Sequence, residues 1–294
     1  MSMLDDSASL APAAAGSRKH VRVGDEKWLR RSLIGLAVCL SLVMLLAPIA
    51  IILLQAFSAG LAVYADKITT SETLHAIGLT VLTGLIVVPI NVVFGIMAAW
   101  TITKFRFPGR NLLTTVIELP FSVSPVVAGV CYLFLYGAQG LLGPFLEAHH
   151  IRLMFSVPAI FLVSLFVTAP FVARELIPLM QTQGSDEEEA AITLGAGGLQ
   201  VFLRVTLPNI KWALLYGVVL CNARVMGEFG AVSVVSGSIR GQTNTLPLQI
   251  ELLYNDYDSV GAFAAASILT LLALVTLGVK TAIERRTGQR GHGH

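Results

Sequence analysis

Long runs without a formal charge limit what this chain can become more than any other feature. No Asp, Glu, Lys or Arg interrupts residues 32–65, 73–103, 153–173 or 259–279. Residues 111–137 carry one charge, Glu118, and residues 212–235 carry two, Arg224 and Glu228. About 20 apolar residues take a helix across the hydrocarbon core, where each backbone N–H and C=O must bond within its own segment. The runs therefore predict an all-α membrane protein with six transmembrane helices, at about 33–57, 76–103, 111–137, 153–173, 212–235 and 259–279. Charged residues make up only 13% of the chain, against about 25% in soluble domains.

Six crossings put both termini on one side, and Lys and Arg decide which side. The N-terminal tail, the 104–110 and 174–211 loops and the C-terminal tail hold 16 of the 20 basic residues. The opposite face holds Lys67, Arg152 and Arg240, and Arg224 lies within span five. Both termini are accordingly expected in the cytoplasm. Residues 1–31 read as a mostly disordered tail, 32–283 as the transmembrane domain and 284–294 as a second tail. No cleavable leader is expected, because the first apolar run starts late and is too long for a signal-peptide core. Cys39, Cys131 and Cys221 lie in apolar runs without metal or redox spacing and read as small buried hydrophobes. His149 with His150 lacks the convergent ligands of a metal site, and the pair His292 and His294, which could bind a metal, reads instead as part of a solvated tail.

The longest cytoplasmic connection, 174–211, contains "GSDEEEAAITLGAGGLQVFLRVTLPN". Ser185 and Glu188 fit a capping box, in which each side chain satisfies the other residue's backbone N–H. Asp186 and Glu187 then sit in the first turn, where the helix dipole favours anions. Gly195 supplies the left-handed residue that ends the helix after Leu194. A second short helix is expected at about 199–205, closed by Pro208. Ala190, Ala191 and Leu194 share a face that another surface can approach closely, and Phe202 and Leu203 offer apolar anchors. On these residues alone two roles stay open: a lid packed on its own protein, or a docking knob for a cytoplasmic partner.

The pattern Glu189-Ala190-Ala191, Gly195, Val205 and Leu207-Pro208 resembles the EAA loop of the membrane subunits of binding-protein-dependent ATP-binding-cassette (ABC) importers. Val205 stands where that loop usually has Ile. The strings "VVPINVVFGIMAAWTITKFRFPGRNLL", "LPFSVSPVVAGVCYLFLYG" and "ARVMGEFGAVSVVSGSIRGQTNTLPLQIELLYNDYD" are similar to the W-type permeases of bacterial sulfate/thiosulfate importers. Molybdate permeases share the "GEFGA" core, so a permease for another oxyanion, molybdate or tungstate, is the alternative.

The resemblance implies a type I ABC-importer permease fold in the bacterial inner membrane. It implies that the loop is a coupling helix in a groove of the ATPase, with Glu189, Ala190, Ala191, Gly195, Val205, Leu207 and Pro208 as contact and turn positions. It also implies a related T-type permease as second membrane subunit, two copies of a cytoplasmic ABC ATPase and a periplasmic sulfate/thiosulfate-binding protein. Transport would proceed by alternating access. ATP and Mg2+ would act on the ATPase, while this non-catalytic subunit binds no cofactor.

The residues agree with that division of labour. A phosphate-binding loop needs G-x-x-x-x-G-K-[ST], and none of the six lysines follows a glycine. Sulfate is a strongly hydrated dianion, and a tight site in the permease would slow its release, so a weakly polar, transient cavity is expected. Charges within spans are candidates for its walls. Arg224 and Glu228, spaced i, i+4, either pair with each other at an interface or present Arg224 to the anion. Glu118 precedes "LPFSVSP", where Pro120 and Pro125 should kink span three. Ser122 and Ser124 there either line the path or satisfy carbonyls freed by the prolines.

On the outer face, residues 246–253 are expected to pack against the protein, leaving Arg240, Asp256 and Asp258 for the binding protein. An ion-coupled secondary transporter would also use broken spans but gives the EAA loop no role. A membrane enzyme would need an H-E-x-x-H motif or a nucleophile with its base, and the chain shows neither.

Overall fold

The computed structural model describes residues 27–288, and no strand occurs among them. Most of both expected tails, with His292 and His294, lies outside the described residues; 27–31 and 284–288 are helical. The chain divides into two compact units, 1–48 and 49–294. The described part of the first unit is the opening of helix α1 (Lys27–Ala56). Every side chain from Trp28 to Pro48 is exposed, leaving a helix apolar on all sides, the pattern of a membrane span.

The second unit is organised around the longest helix. After α2 (Leu61–Thr69), α3 runs over Ser71–Lys104, and the Thr70 hydroxyl caps it by accepting from the Thr73 N–H. Next come α4 (Arg110–Ser122), α5 (Pro125–Tyr136) and the short α6 (Gly143–Ala148). Helices α7 (Val157–Thr168) and α8 (Pro170–Gln183) follow end to end and together are long and apolar enough to cross a membrane. A loop carries α9 (Asp186–Thr193), α10 (Gly198–Val201) and a π-helical turn, Phe202–Thr206. The chain then forms α11 (Leu207–Met226), α12 (Gly230–Val235), α13 (Leu246–Asn255) and α14 (Ser259–Gly288).

A small apolar cluster joins α3, α4 and α8 through Ala98, Ile102, Ile117 and Ala173, and two larger ones hold this unit. One joins α3, α8 and α11 through Val87, Ala99, Val172, Leu176, Ile210 and Val225. The other joins α5, α7 and α12 through Ala128, Ile160, Val163, Ala231, Val232 and Val235. Small residues set the closest approaches. A Cβ at Gly95 would lie 2.6 Å from the Val172 Cβ and 3.0 Å from the Ala173 nitrogen. Apolar packing alone restrains sliding weakly where the surroundings are equally apolar, so buried cross-helix hydrogen bonds matter. Asn91 on α3 provides them, donating to the Thr168 hydroxyl at 2.7 Å and to the Leu165 carbonyl at 3.4 Å.

The helices depart from the expected spans in three places. Residues 111–137 form two helices bent by 106°. Pro125 forces the preceding residue out of the helical region, and Ser124 takes φ −59°, ψ 133°. Pro120 remains inside α4 without breaking it. The run expected to end at residue 173 continues to Gln183, so Arg174 and Glu175 lie within α8 rather than in the loop. The buried stripe Val172, Ala173, Leu176 and Met180 has helical spacing and carries the helix onward. The 212–235 run instead begins at Leu207 and breaks at 227–229. Among the described residues, four helices are long and apolar enough to cross a membrane, or five if α4 with α5 counts as one.

At the end of α3 away from the loop, Leu246, Leu248 and Gln249 are buried, and the Leu246 N–H donates to the Thr80 hydroxyl at 2.8 Å. The charges expected to be free there are paired within the chain. Arg240 bonds Asp256 and lies 4.0 Å from Glu72, while Lys67 donates to Asp258 at 2.7 Å. Burial alone would push the Asp258 carboxyl up, but the Lys67 ammonium and the Gly261 N–H outweigh it and hold it below 3.8.

Gly95→Leu is expected to cost about 2 kcal/mol through overpacking, seen as a lower melting temperature in detergent. Gly78→Leu, where a Cβ meets nothing within 4 Å and leucine is the better helix former, should not lower it. Because Asp258 titrates lower in the folded state, its contribution is complete at pH values well above 3.8 and is lost as pH falls through the folded value. The melting-temperature gap between wild type and Asp258→Asn should therefore be constant near neutral pH and close in acid.

Candidate functional site

The loop between α8 and α11 is fastened on one side and bare on the other. Its first helix starts at Ser185, but the expected capping box does not form. Glu188 is drawn away: its Oε1 lies 2.8 Å from the Lys104 ammonium and accepts from the Thr206 hydroxyl at 3.1 Å. With so little water around the pair, the opposite charge holds the carboxylate more strongly than a back-bond to a cap N–H would. Ser185 instead donates to Glu189 Oε1 at 2.7 Å, and Glu187 accepts from Asn209. Three of the four acids therefore bond to their own chain rather than serving only to balance a helix dipole.

Gly195 ends α9 as expected. It adopts φ +87°, and its N–H donates to Ile192 while that of Ala196 reaches Ala191, closing both bonds of a Schellman motif. Pro208 does not close a second helix. It sits in the first turn of α11, and α10, the π turn and α11 follow one another without a break from Gly198 to Met226. The Leu207 N–H reaches back five residues to Phe202, and this wider turn accommodates a proline that cannot donate. Leu207 is half-buried there, and Val205 is half-buried beside it.

The outward side of the loop is apolar. Leu194 is 89% exposed and Leu199 73% exposed, flanked by exposed Ile192 and Leu203. Ala190 is exposed and Ala191 half-buried. A groove of about 270 Å3 runs among Ala191, Leu194, Gly195, Gln200, Arg204 and Val205. Phe202, expected as an outward anchor, turns inward onto Trp100 with ring centroids 5.0 Å apart. Sequence reasoning missed Leu199; its signal is an exposed leucine directly after the "GAGG" turn.

A second site forms where helices break within the body. Arg224, in the last turn of α11, places Nη1 2.6 Å from Glu228 Oε2. That contact is off the line of a good N–H···O bond, so Oε2 has an ion partner without an aligned donor. Glu228 Oε1 accepts from the Ala231 N–H at 3.0 Å, which satisfies the start of α12. Glu228 itself is only 2% exposed.

The α11–α12 break meets the α4–α5 break directly. A Cβ at Gly230 would lie 3.3 Å from Pro125 Cβ, and one at Gly129 would lie 2.8 Å from the Ala231 carbonyl. Ser122 and Ser124 are exposed at this corner, and Ser124 makes no capping bond through its side chain. Glu118 is exposed further back on α4. The sequence reading missed Arg174, whose guanidinium lies 4.4 Å over the Phe121 ring beside Ser122. Recognising the α8 stripe would have placed it inside the helix.

Cys221 is buried as expected, whereas Cys39 and Cys131 are exposed. Among the described residues no three His, Cys, Asp or Glu converge on a metal-sized site.

Residues 91–289 match the family described as binding-protein-dependent transport system inner membrane component. The sulfate transport system permease protein CysW of Escherichia coli (strain K12) is 58% identical over 259 residues, 88% of this chain and 89% of that protein. The sulfate transport system permease protein CysT of Salmonella typhimurium is 36% identical, over 88% of this chain and 92% of that protein. A bacterial alginate ABC transporter, crystallised with an alginate pentasaccharide-bound periplasmic protein, contains a chain of the same fold. Its TM-score is 0.74 at 19% identity, covering 88% of this chain and 95% of that one.

Arg224→Met would leave a buried carboxylate unpaired and is expected to cost on the order of 3 kcal/mol. Arg224→Met with Glu228→Gln should recover most of that loss. Melting in detergent checks both; an unchanged melting temperature with lost transport would assign Arg224 to the substrate instead.

Proposed function

This chain belongs to the family of binding-protein-dependent transport system inner membrane components, and we propose that it is the permease subunit of an ATP-driven sulfate/thiosulfate importer. The observation that carries the substrate is the 58% identity to a sulfate permease over 88% of this chain. The exposed apolar knob Ile192–Leu194–Leu199–Leu203 supports the coupling role, since a water-facing loop gains nothing from bare leucines unless another surface covers them.

In this reading both termini are cytoplasmic and the chain crosses the membrane six times. The bent α4–α5 pair and the less apolar α11 supply the crossings that length and hydropathy alone leave out. The loop seats in a groove of a cytoplasmic ATPase present in two copies, and Glu189, Ala190, Ala191 and Gly195 shape the contact. Val205, Leu207 and Pro208 join the knob rigidly to α11. ATP and Mg2+ act on that ATPase. A related T-type permease, of the kind CysT represents, completes the membrane pair, and a periplasmic sulfate/thiosulfate-binding protein delivers the anion.

The two adjoining helix breaks form part of the path. Unwound backbone is tolerated at membrane depth only where protein packs on it or it lines a water-filled cavity. Ser122, Ser124 and Arg174 offer hydroxyls and a positive charge without a tight cage. Glu228 keeps Arg224 partly neutralised, and Glu118 stands further back. Weak, shared contacts suit a dianion that must leave on every cycle.

Radiolabelled sulfate uptake in cells lacking this chain should be lost and should return on its restoration. Unchanged sulfate uptake with reduced molybdate uptake would move the substrate to the other oxyanions. Gly195→Asp places a side chain at φ +87° and a charge beside the knob. It should preserve membrane insertion while the ATPase no longer copurifies or uptake is abolished.

A further inference from the structure

Lys104, the last residue of α3, sits where three other segments converge. Its ammonium donates to the Gly184 carbonyl at the end of α8. It also lies 2.8 Å from Glu188 Oε1 on α9, and that same oxygen accepts from the Thr206 hydroxyl in the π turn. The two charged side chains are only 13% and 15% exposed. Beside this knot, Asn209 donates to Glu187 and accepts from the Gln183 side chain.

These bonds divide the helices into two kinds. Helices α8 and α11 continue covalently into the loop, so any movement of α9 reaches them through the backbone. Helix α3 has no such continuity. Among the described residues its polar links to the loop all run through one ammonium, with the Trp100–Phe202 ring contact beside it. Yet α3 is the helix that most needs to follow. It packs against both α8 and α11 and spans about 51 Å at 1.5 Å per residue over its 34 residues. Its other end meets the opposite face, where His75 bonds the Gln242 carbonyl and Glu72 lies near Arg240.

We propose that Lys104 is the positioning residue that makes α3 move with the loop, so that displacement of α9 reaches the far face of the permease. This rests on the reading that the loop docks on an ATPase. An ion pair with little water around it is close at 2.8 Å, and separating it leaves two desolvated charges unpaired. Such a joint transmits displacement in either direction, whereas an exposed pair would exchange its partner for water. The acidic side of α9 thus grips the permease while its apolar side meets the motor.

The test uses the whole transporter, reconstituted in proteoliposomes with its ATPase and binding protein, and reads radiolabelled sulfate moved per ATP hydrolysed. Lys104→Met and Lys104→Glu should keep the ATPase bound and hydrolysing but move about tenfold less sulfate per ATP. Lys104→Arg, and the exchange Lys104→Glu with Glu188→Lys, should return to within about twofold of wild type. An unchanged ratio in the single variants, or an exchange no better than they are, overturns the proposal. So does loss of the ATPase or failure of the single variants to accumulate, since Lys104 would then be a structural clasp. Leu194→Asp in parallel tests the underlying reading: normal copurification and hydrolysis there overturn the docking itself, whatever Lys104 does.

Discussion

A polypeptide in hydrocarbon must satisfy its own backbone, and the arrangement of this chain depends on that constraint. Unbroken helix is the default answer, as in α3, which stays helical through Pro89. Each interruption needs cover. The break at 123–124 is packed against the break at 227–229, where Glu228 supplies the acceptor for the Ala231 N–H. The two breaks within expected spans thus meet at one corner rather than lying apart. That corner brings together hydroxyls, a cation over an aromatic ring and an ion pair whose carboxylate is buried.

Beyond the membrane the constraint is reversed. Water satisfies polar groups there, so order in the loop has to come from specific bonds. Its acids supply them: Glu187 holds Asn209, Glu188 holds Lys104 and Thr206, and Glu189 holds Ser185. The Schellman closure at Gly195 and the π turn into α11 remove the remaining slack. What is left over is the apolar side, with Leu194 and Leu199 facing outward. A fastened polar face and a bare apolar face together make a rigid knob.

Much of this was legible in the sequence. Charge-free runs marked the helices, and Gly195 marked the end of α9, because each depends on local chemistry. Most of the misreadings share a cause: long-range contacts overrode local preference. Ser185 with Glu188 is a fair capping box until Lys104, distant in sequence, claims the carboxylate. Arg174 looks like the start of a loop until the Val172–Met180 stripe finds α3 to pack on. Pro208 looks like a stop until the preceding turn widens to admit it. Phe202 looks like an outward anchor until Trp100 receives it.

The central claim is that the knob meets a separate motor while its acidic side grips the permease. Site-directed crosslinking from Leu194→Cys, in a chain whose three native cysteines are replaced by alanine, tests it most directly in the assembled, transport-active complex. The account predicts a covalent adduct between this chain and the ATPase subunit. Full sulfate uptake with no such adduct, or capture of the Leu194→Cys side chain by its own permease instead, would contradict it.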